Sequence, residues 1–412
     1  MKNILLLTSV YPADDLPKNN TPVVHYFVKE WVTQGYNVIV IHNKVYYPAI
    51  IHFLIKKLQK LIAKYYQFNF PTEQKSKAIT YNIEGVNVFR VPIFKWLPQL
   101  MFTEKTLKKQ LIRIKEILVS EKFSPDFIIG HWPNPQLYQL KHIGEKYNAT
   151  TCLVMHSDVE TIDRMYGKKA REIIENIDIW GFRSKTIKKR FEKLYGKVNR
   201  SFLCYSGIPA SNIATTQRTF KSGLKNFLFV GQLIPRKYPE VIIKALNIAF
   251  KGEDFHVTYI GTGRESENIK KLAKELNISQ KVSIYGRVSR DKVFEIMKLS
   301  DCFIMLSKPE TFGLVYLEAM SMGCITIGSR GEGIDGVIEN GKNGFLSEAG
   351  NEKKLAELLT KISFLSDKKL IEISDNAIKT AVNLSDEKVA RKYIETVVSA
   401  QSEQKYGELI SG

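Results

Sequence analysis

The chain has 412 residues, 44% hydrophobic and 25% charged, a composition typical of globular and not of disordered proteins. The length predicts two domains, and the formal net charge of +19 predicts a negatively charged partner or surface. The four cysteines lie scattered in apolar segments, and no apolar run is long enough for a signal peptide or a membrane span, so we expect a cytoplasmic protein.

The first half of the chain alternates short apolar runs with amphipathic segments. Residues 3–9, NILLLTS, have the length of a buried strand, and residues 23–35 have helical spacing up to Gly35. Residues 37–42, NVIVIH, complete a strand–helix–strand unit, which indicates a parallel sheet covered by helices on both faces. Two further helices are predicted around 103–119 and 134–147. Further strands are predicted for VNVFRV, DFIIGH, TCLVMH, DIWGFR and SFLCYSG.

The same alternation restarts after a polar, turn-rich stretch at residues 206–225. Its predicted strands, separated by helices, are NFLFVGQL, FHVTYIGTG, KVSIYG, DCFIML and CITIGS. The sequence therefore predicts an α/β fold of two doubly wound domains that face each other across a cleft, with ligands at the carboxyl ends of the strands. We expect one domain over 1–205, a linker over 206–225, a second domain over 226–384, and a C-terminal helix and tail over 385–412.

Two glutamates, Glu310 and Glu318, flank the predicted start of a helix near Gly313. Eight residues of ideal helix span ~12 Å, which is farther than the roughly 5–10 Å between the carboxylates of a glycoside hydrolase. The free N–H groups at the helix start can bind phosphate, and each carboxylate can accept hydrogen bonds from hydroxyls. This pattern favours a ligand with hydroxyls at both ends and phosphates between them, such as a nucleotide sugar.

Two adjacent cations, Arg236 and Lys237, follow the first strand of the predicted second domain. An arginine can bind two phosphate oxygens at once, and a lysine adds a point charge. Two cations at a diphosphate make a divalent metal dispensable, and no D-x-D pair stands in a convincing strand-end context. We therefore predict no metal and no cofactor, with the nucleotide diphosphate sugar as co-substrate.

Four segments, in this order along the chain, resemble the retaining glycosyltransferases of family four, the group 1 glycosyltransferases. They cover about residues 226–346, and the third carries that family's Glu-x7-Glu signature. The resemblance implies the GT-B architecture of two Rossmann-like domains, and transfer with retention of the anomeric configuration. The segments are GQLIPRKYPEVIIKAL, YIGTGRESENIKKLAKELNISQKVSIYGRVSRDKVFEIMKLSDCFIMLS, KPETFGLVYLEAMSMG and GSRGEGIDGVIENGKNGFL.

The resemblance also implies roles for the matching residues. In the second domain, Glu310 would bind the sugar hydroxyls of the donor, and Arg236 and Lys237 would neutralise its β-phosphate. The N–H groups of Gly313 and Leu314 would hold the diphosphate, and Glu318 would bind the ribose. The residues against the base would be Gly286, Arg287 and Val288. In the first domain, His156 would lie near the reacting carbon, and His131 matches an earlier strand-end histidine. His131 is more typical of a structural or acceptor-side residue than of a catalytic one.

The loop after the first strand departs from the family pattern. Many members carry Gly-Gly there, whereas this chain has KNNTPVVH. Asn20 and Thr21 can still donate hydrogen bonds to a phosphate or a sugar, so we place them on the acceptor side.

The positive charge is concentrated in the first domain. Residues 1–205 contain 32 basic and 17 acidic residues, against 29 and 25 in the rest of the chain. One segment has helical spacing with an apolar side and a basic side, and the basic side carries Lys56, Lys57, Lys60 and Lys64. Residues 94–118 show the same combination of apolar and basic residues. Basic amphipathic helices with aromatic flanks are typical of membrane-surface elements, so we expect contact with an anionic membrane, although a core helix with a solvated basic face has the same pattern.

These observations predict transfer of a hexose from a nucleotide diphosphate sugar to a lipid-linked or polysaccharide acceptor in cell-surface polysaccharide synthesis, at the inner face of the membrane. A non-catalytic sugar-binding homologue and an α-glucan synthase-like enzyme of the same fold remain alternatives. Nucleic-acid binding would explain the charge, but no motif for it is present.

Overall fold

The computed structural model describes residues 1–16, 22–50, 77–97, 100–156, 159–220 and 223–411, with side chains as far as Gln401. The chain forms two compact units. The first comprises Met1–Arg183, Ile187–Tyr205 and Asp386–Gly412, and the second comprises Ser184–Thr186 and Ser206–Ser385.

The first unit is built on a mainly parallel sheet whose central strands are apolar throughout. Its strands are β1 (Asn3–Thr8), β2 (Asn37–Tyr46), β3 (Ile79–Ile83), β4 (Val86–Phe94), β5 (Phe127–His131), β6 (Thr150–Met155), β7 (Ile179–Phe182) and β8 (Ser201–Leu203). They are ordered β3-β4-β2-β1-β5-β6-β7-β8. Leu5, Leu6 and Leu7 of β1 are fully buried, because helices cover both faces of a parallel sheet.

One strand of this sheet, β3, differs from the sequence expectation. It pairs antiparallel with β4 at the edge of the sheet, where most of its residues are exposed. Its sequence, ITYNI, lacks the continuous apolar run by which the other strands were predicted. The helices of this region are α1 (Val23–Thr33), α2 (Glu104–Ser120), α3 (Gln136–Tyr147), α4 (Thr161–Tyr166), α5 (Ala170–Glu175) and α6 (Lys185–Tyr195).

The second unit contains a fully parallel six-stranded sheet. Its strands are β9 (Asn226–Val230), β10 (His256–Ile260), β11 (Val282–Tyr285), β12 (Cys302–Ile304), β13 (Ile325–Ser329) and β14 (Phe345–Ser347), in the order β11-β10-β9-β12-β13-β14. Its helices are α7 (Pro239–Ala249), α8 (Glu265–Glu275), α9 (Arg290–Leu299), α10 (Leu314–Ser321), α11 (Glu352–Ser363) and α12 (Asp367–Asn383). The strand order reverses beside β9, so the loops after β9 and β12 meet at one sheet edge, where such folds bind ligands.

The last helix, α13 (Asp386–Ser411), packs in the first unit. Nε1 of Trp31 donates a hydrogen bond of 2.9 Å to the carbonyl oxygen of Ala390. The ring of Tyr393 meets those of Trp31 and Phe27 edge-on, at centroid distances of 5.1 and 5.4 Å. The chain thus leaves its first unit near Tyr205 and returns to complete it.

Within the described part of the chain, no helix combines the length and apolar character needed to cross a bilayer. All four cysteines are buried free thiols, as their apolar contexts predict.

Candidate donor site

Arg236 and Lys237 lie in a short 3-10 turn, Pro235–Lys237, after β9. Nη1 of Arg236 donates hydrogen bonds to Oγ of Ser307, at 3.1 Å, and to the carbonyl oxygen of Pro309, at 2.9 Å. The same nitrogen lies 3.8 Å from Oε2 of Glu310. The structure therefore brings together the two predicted cations and the first predicted glutamate.

The Lys237 ammonium is held in a confined space beside this pair. Its Nζ lies 3.4 Å from Sδ of Met305, and a Cβ atom at Gly231 would stand only 2.8 Å from it. Burial lowers the pKa of Lys237, and Arg236 adds to this effect, whereas the negative charge of Glu310 opposes it. The electrostatic attraction between a bound anion and a poorly solvated cation is stronger than that between the same anion and a surface lysine.

The helix between the two glutamates begins at the predicted position. Its N-cap is Gly313, at φ +75°, and α10 starts at Leu314. A Cβ atom at Gly313 would lie 2.4 Å from the ring of Tyr316, whose hydroxyl donates to the carbonyl oxygen of Met305 at 2.7 Å. The position therefore requires glycine. The first N–H groups of a helix have no partner within it and favour an anion.

Glu318 lies on the second turn of α10 and is almost wholly buried. Its Oε1 accepts a hydrogen bond of 2.6 Å from Nη2 of Arg290, the first residue of α9. Burial raises the pKa of Glu318, and the charge of Arg290 opposes that rise. Sequence reasoning missed Arg290, because no local pattern distinguishes it from other arginines at the start of a helix.

A second residue that sequence reasoning missed, Glu332, holds the Glu310 loop. Its Oε2 accepts a hydrogen bond of 2.9 Å from the backbone N–H of Glu310, and the N–H of Gly333 donates to the carbonyl oxygen of Glu310 at 3.0 Å. A Cβ atom at Gly333 would lie 2.4 Å from the Thr311 backbone. The segment GSRGEG matched the family pattern, but its contact with Glu310 depends on how two loops pack.

Gly286, Arg287 and Val288 form the loop between β11 and α9. Gly286 and Arg287 are exposed, and Val288 is half-buried. Ser289, the N-cap of α9, connects this loop to Arg290, so the loop is adjacent to the helix that contacts Glu318. Its contact with a nucleotide base stays a prediction.

The two predicted histidines contact each other in the first unit. Nδ1 of His131 and Nε2 of His156 are 2.9 Å apart, and the His156 ring stacks on Trp132 with centroids 3.8 Å apart. Burial lowers the pKa of His131 to about 3, and burial also places the pKa of His156 well below its usual value, in both cases with a further contribution from the Arg183 charge. Both rings are therefore neutral at neutral pH.

His131 is fully buried, and its Nε2 lies 3.4 Å from the hydroxyl of Tyr393. His156 is only partly buried. Of the pair, His156 is the more exposed ring, and the buried His131 contacts it.

The remaining predicted residues lie outside the described residues. They are Asn20, Thr21, Lys56, Lys57, Lys60 and Lys64.

The second predicted basic segment, residues 94–118, is described except for two positions. In α2, Leu111, Ile114 and Leu118 are buried, while Lys105, Lys108, Lys109 and Ile112 are exposed. Just before α2, Trp96, Leu97 and Leu100 have exposed fractions of 60%, 45% and 49%. This region combines lysines with unusually exposed large apolar side chains.

Comparisons with known proteins find a match to a family model within the second unit. The profile described as "Glycosyl transferases group 1" matches residues 213–381. An uncharacterized glycosyltransferase of Methanocaldococcus jannaschii is 26% identical over 336 residues, which cover 78% of this chain and 88% of that protein. Residues 213–381 are thus similar to the group 1 glycosyltransferases, and the predicted resemblance is confirmed.

Solved structures show the fold. The lipopolysaccharide outer core galactosyltransferase WaaB, in its apo form, matches with a TM-score of 0.68 at 18% identity, covering 96% of this chain and 99% of that one. HepE of Anabaena in complex with UDP-glucose matches with a TM-score of 0.64 at 14% identity, covering 97% of this chain and 100% of that one. The predicted GT-B architecture is confirmed.

Proposed function

We propose that this protein is a retaining glycosyltransferase that moves a hexose from a nucleotide diphosphate sugar to a lipid-linked or polysaccharide acceptor. The observation that carries the proposal is the convergence of Arg236, Lys237 and Glu310 beside the start of α10. Cations and free N–H groups suit a diphosphate, and a carboxylate next to them suits sugar hydroxyls.

Each donor residue has a distinct task in this proposal. Arg236 and Lys237 neutralise the β-phosphate, and the N–H groups of Gly313 and Leu314 hold the diphosphate. Glu310 binds sugar hydroxyls and Glu318 the ribose. Gly286, Arg287 and Val288 lie against the base.

The transfer step is a front-face displacement. The bond from the anomeric carbon to the phosphate oxygen breaks, and the acceptor oxygen forms its bond on the same face. The leaving phosphate takes the proton of the acceptor hydroxyl. Because negative charge grows on the phosphate as the bond breaks, fixed cations and helix N–H groups stabilise the transition state more than the ground state.

His156 contributes as a neutral hydrogen-bonding group. Its low pKa keeps it uncharged, so it can orient a sugar hydroxyl near the reacting carbon without placing a second positive charge there. The buried His131 holds the ring in place through the 2.9 Å contact.

The acceptor is proposed from the surface of the first unit. The exposed lysines of α2 and the apolar residues before it suit an anionic membrane. The resemblance in fold to a lipopolysaccharide outer core galactosyltransferase agrees with a saccharide acceptor built on a lipid. We therefore place the protein at the inner face of the cell membrane, as a peripheral protein in surface polysaccharide synthesis.

A thermal-shift panel tests the donor class. UDP, GDP and ADP, and separately UDP-glucose, GDP-glucose and ADP-glucose, are added to the full chain without metal. A ligand that binds only the folded protein at 100 times its dissociation constant stabilises it by about 2.7 kcal/mol. We expect one nucleotide to raise the melting temperature, and absence of a shift with all of them would contradict the proposal. Transfer of radiolabelled hexose to a membrane lipid fraction then separates an enzyme from a non-catalytic homologue.

A further inference from the structure

The Arg290–Glu318 ion pair is more confined than the surface pairs of this protein. The Glu318 side chain has an exposed fraction of only 11% and that of Arg290 33%. Their contact of 2.6 Å is a short charge-assisted hydrogen bond. The Arg290 guanidinium also lies 5.7 Å from the centre of the Phe294 ring, one helical turn along α9, which fixes its direction.

The Arg290–Glu318 pair is expected to add little to the free energy of folding. Burying two charges costs desolvation energy that their attraction hardly offsets, and apolar residues of similar size usually serve stability as well. A buried carboxylate at a ligand-binding strand edge is therefore a candidate for recognition.

The position of Arg290 links the two parts proposed to hold a nucleoside. It lies two residues after the segment proposed for the base, residues 286–288, and its guanidinium reaches the carboxylate proposed for the ribose. Arg290 engages Oε1 of Glu318, so Oε2 is the atom left to accept a hydrogen bond from a ligand hydroxyl.

We propose that Arg290 is a positioning residue for ribose recognition: it holds Glu318 as an oriented carboxylate and thereby makes the site discriminate ribonucleotides from deoxyribonucleotides. This inference rests on the proposed donor function and adds a residue for which neither motif nor family comparison assigns a role. Burial favours the protonated form of Glu318 and Arg290 opposes it, which agrees with this role, because a carboxylate accepts from a hydroxyl better than a carboxylic acid does.

The test compares nucleotides that differ in one hydroxyl. Isothermal titration calorimetry with the full chain measures the dissociation constants of UDP, 2′-deoxy-UDP and 3′-deoxy-UDP. The same measurement is made for GDP and its two deoxy analogues. For the nucleotide that binds, we expect the wild type to prefer the ribose form over at least one deoxy form by roughly 10- to 100-fold, the range for a hydrogen bond to a charged group. In Arg290→Met the ratio of the ribose-form affinity to the deoxy-form affinity should fall towards one. The ribose form should lose most of the affinity, and the deoxy form much less than the ribose form.

The control variant lies on the same helix. Lys292→Met removes an exposed cation whose Nζ pairs with Glu295 at 2.8 Å, and it should keep the wild-type ratio. Arg290→Lys, which keeps the charge but loses the planar fork, should recover part of the ratio. If Arg290→Met does not fold, Arg290→Gln carries the same comparison.

The contrary outcomes are distinct. Equal losses for ribose and deoxyribose forms in Arg290→Met, or a wild type that binds both forms equally, would overturn the role of Arg290 and leave the proposed function intact. A wild type that binds none of the nucleotides would overturn the proposed function and the role of Arg290 together.

Discussion

Oε2 of Glu310 lies 3.8 Å from Nη1 of Arg236, although the two residues come from loops after different strands. Glu310 is largely enclosed, with an exposed fraction of 14%, whereas Arg236 is 43% exposed. The backbone of Glu310 is tied on both sides to the turn of Glu332 and Gly333. The carboxylate is therefore set in position before any ligand arrives, and the more exposed arginine beside it is accessible to one.

Loss of Glu310, or of Arg236 and Lys237 together, should slow transfer severely without unfolding the protein. Removing one charge-stabilising group at such a site costs about 10²–10³ in rate, so we expect that loss in Glu310→Ala and a larger one in Arg236→Ala/Lys237→Ala. Radiolabelled sugar transfer measures the rate, and circular dichroism checks the fold. Glu339→Gln/Lys342→Ala, a surface pair 2.8 Å apart, is the matched control. Donor-site variants that are folded and fully active would remove these residues from the mechanism.

Activity should persist in a chelator. Arg236 and Lys237 stand together at the proposed diphosphate, and the start of α10 adds its N–H groups, so the charge of the leaving phosphate is met by the protein itself. We expect transfer rates in EDTA within about twofold of those in buffer, in line with the absence of a metal from the proposed step. A rate that vanishes in EDTA and returns with Mg²⁺ or Mn²⁺ would show that a metal takes part.

The buried histidines should make the fold sensitive to mild acid. His42 and His131 each have a pKa lowered by burial to about 3, against about 6.5 when unfolded. Below about pH 6.5 the unfolded chain therefore binds more protons than the folded protein. The contribution of these histidines to stability is complete above about pH 6.5 and is lost as the pH falls towards about 3. Each histidine contributes up to about 1.4 kcal/mol per pH unit.

Urea unfolding between pH 7 and pH 5 measures this slope, in a window above the titration of most carboxylates. We expect the slope to flatten in His42→Gln, because this variant removes one of the buried rings that cannot bind a proton in the folded protein. A wild-type unfolding free energy that does not change across this window would contradict the neutral, buried state of these rings.

The membrane proposal predicts salt-sensitive binding to anionic vesicles. Each lysine near an anionic leaflet contributes about 1 kcal/mol, so changing Lys105, Lys108 and Lys109 to Glu should weaken vesicle binding at least roughly 10²-fold. Changing Lys56, Lys57, Lys60 and Lys64 to Glu should weaken it similarly. Flotation with phosphatidylglycerol vesicles at low and high salt gives the bound fraction.

The matched control is Lys270→Glu/Lys271→Glu/Lys274→Glu in α8, the same charge change on an exposed helix of the second unit. This variant should float like the wild type, and every charge variant should still transfer hexose to a short soluble acceptor. Wild-type protein that stays with the soluble fraction at low salt would make α2 an ordinary amphipathic helix.

Strands buried on both faces were the most predictable part of the fold. The run NILLLTS contains all of β1, since a central parallel strand has no polar face to interrupt it. The edge strand β3 was missed because its exposed residues remove that signal. The short helices α4 and α5 were missed because six residues give too few turns for a periodic pattern.

In the candidate site, residues within one segment were predictable and those that reach across segments were not. Glu310, Gly313 and Glu318 share one continuous motif, so their spacing was informative. Arg290 and Glu332 meet these residues only because α9 packs beside α10 and because the turn after β13 crosses the Glu310 loop. Single-sequence periodicity contains no information about such contacts.

The return of α13 to the first unit affects how the protein can be made in the cell. The second unit, Ser184–Thr186 with Ser206–Ser385, contains no part of α13 and can fold before that helix has been synthesised. The first unit, although synthesised earlier, lacks the partner of Trp31 until Ala390 has emerged. Its apolar surface around Phe27 therefore stays exposed to chaperones or to aggregation until α13 has been synthesised. A stop codon just before α13 would harm the part of the protein encoded first.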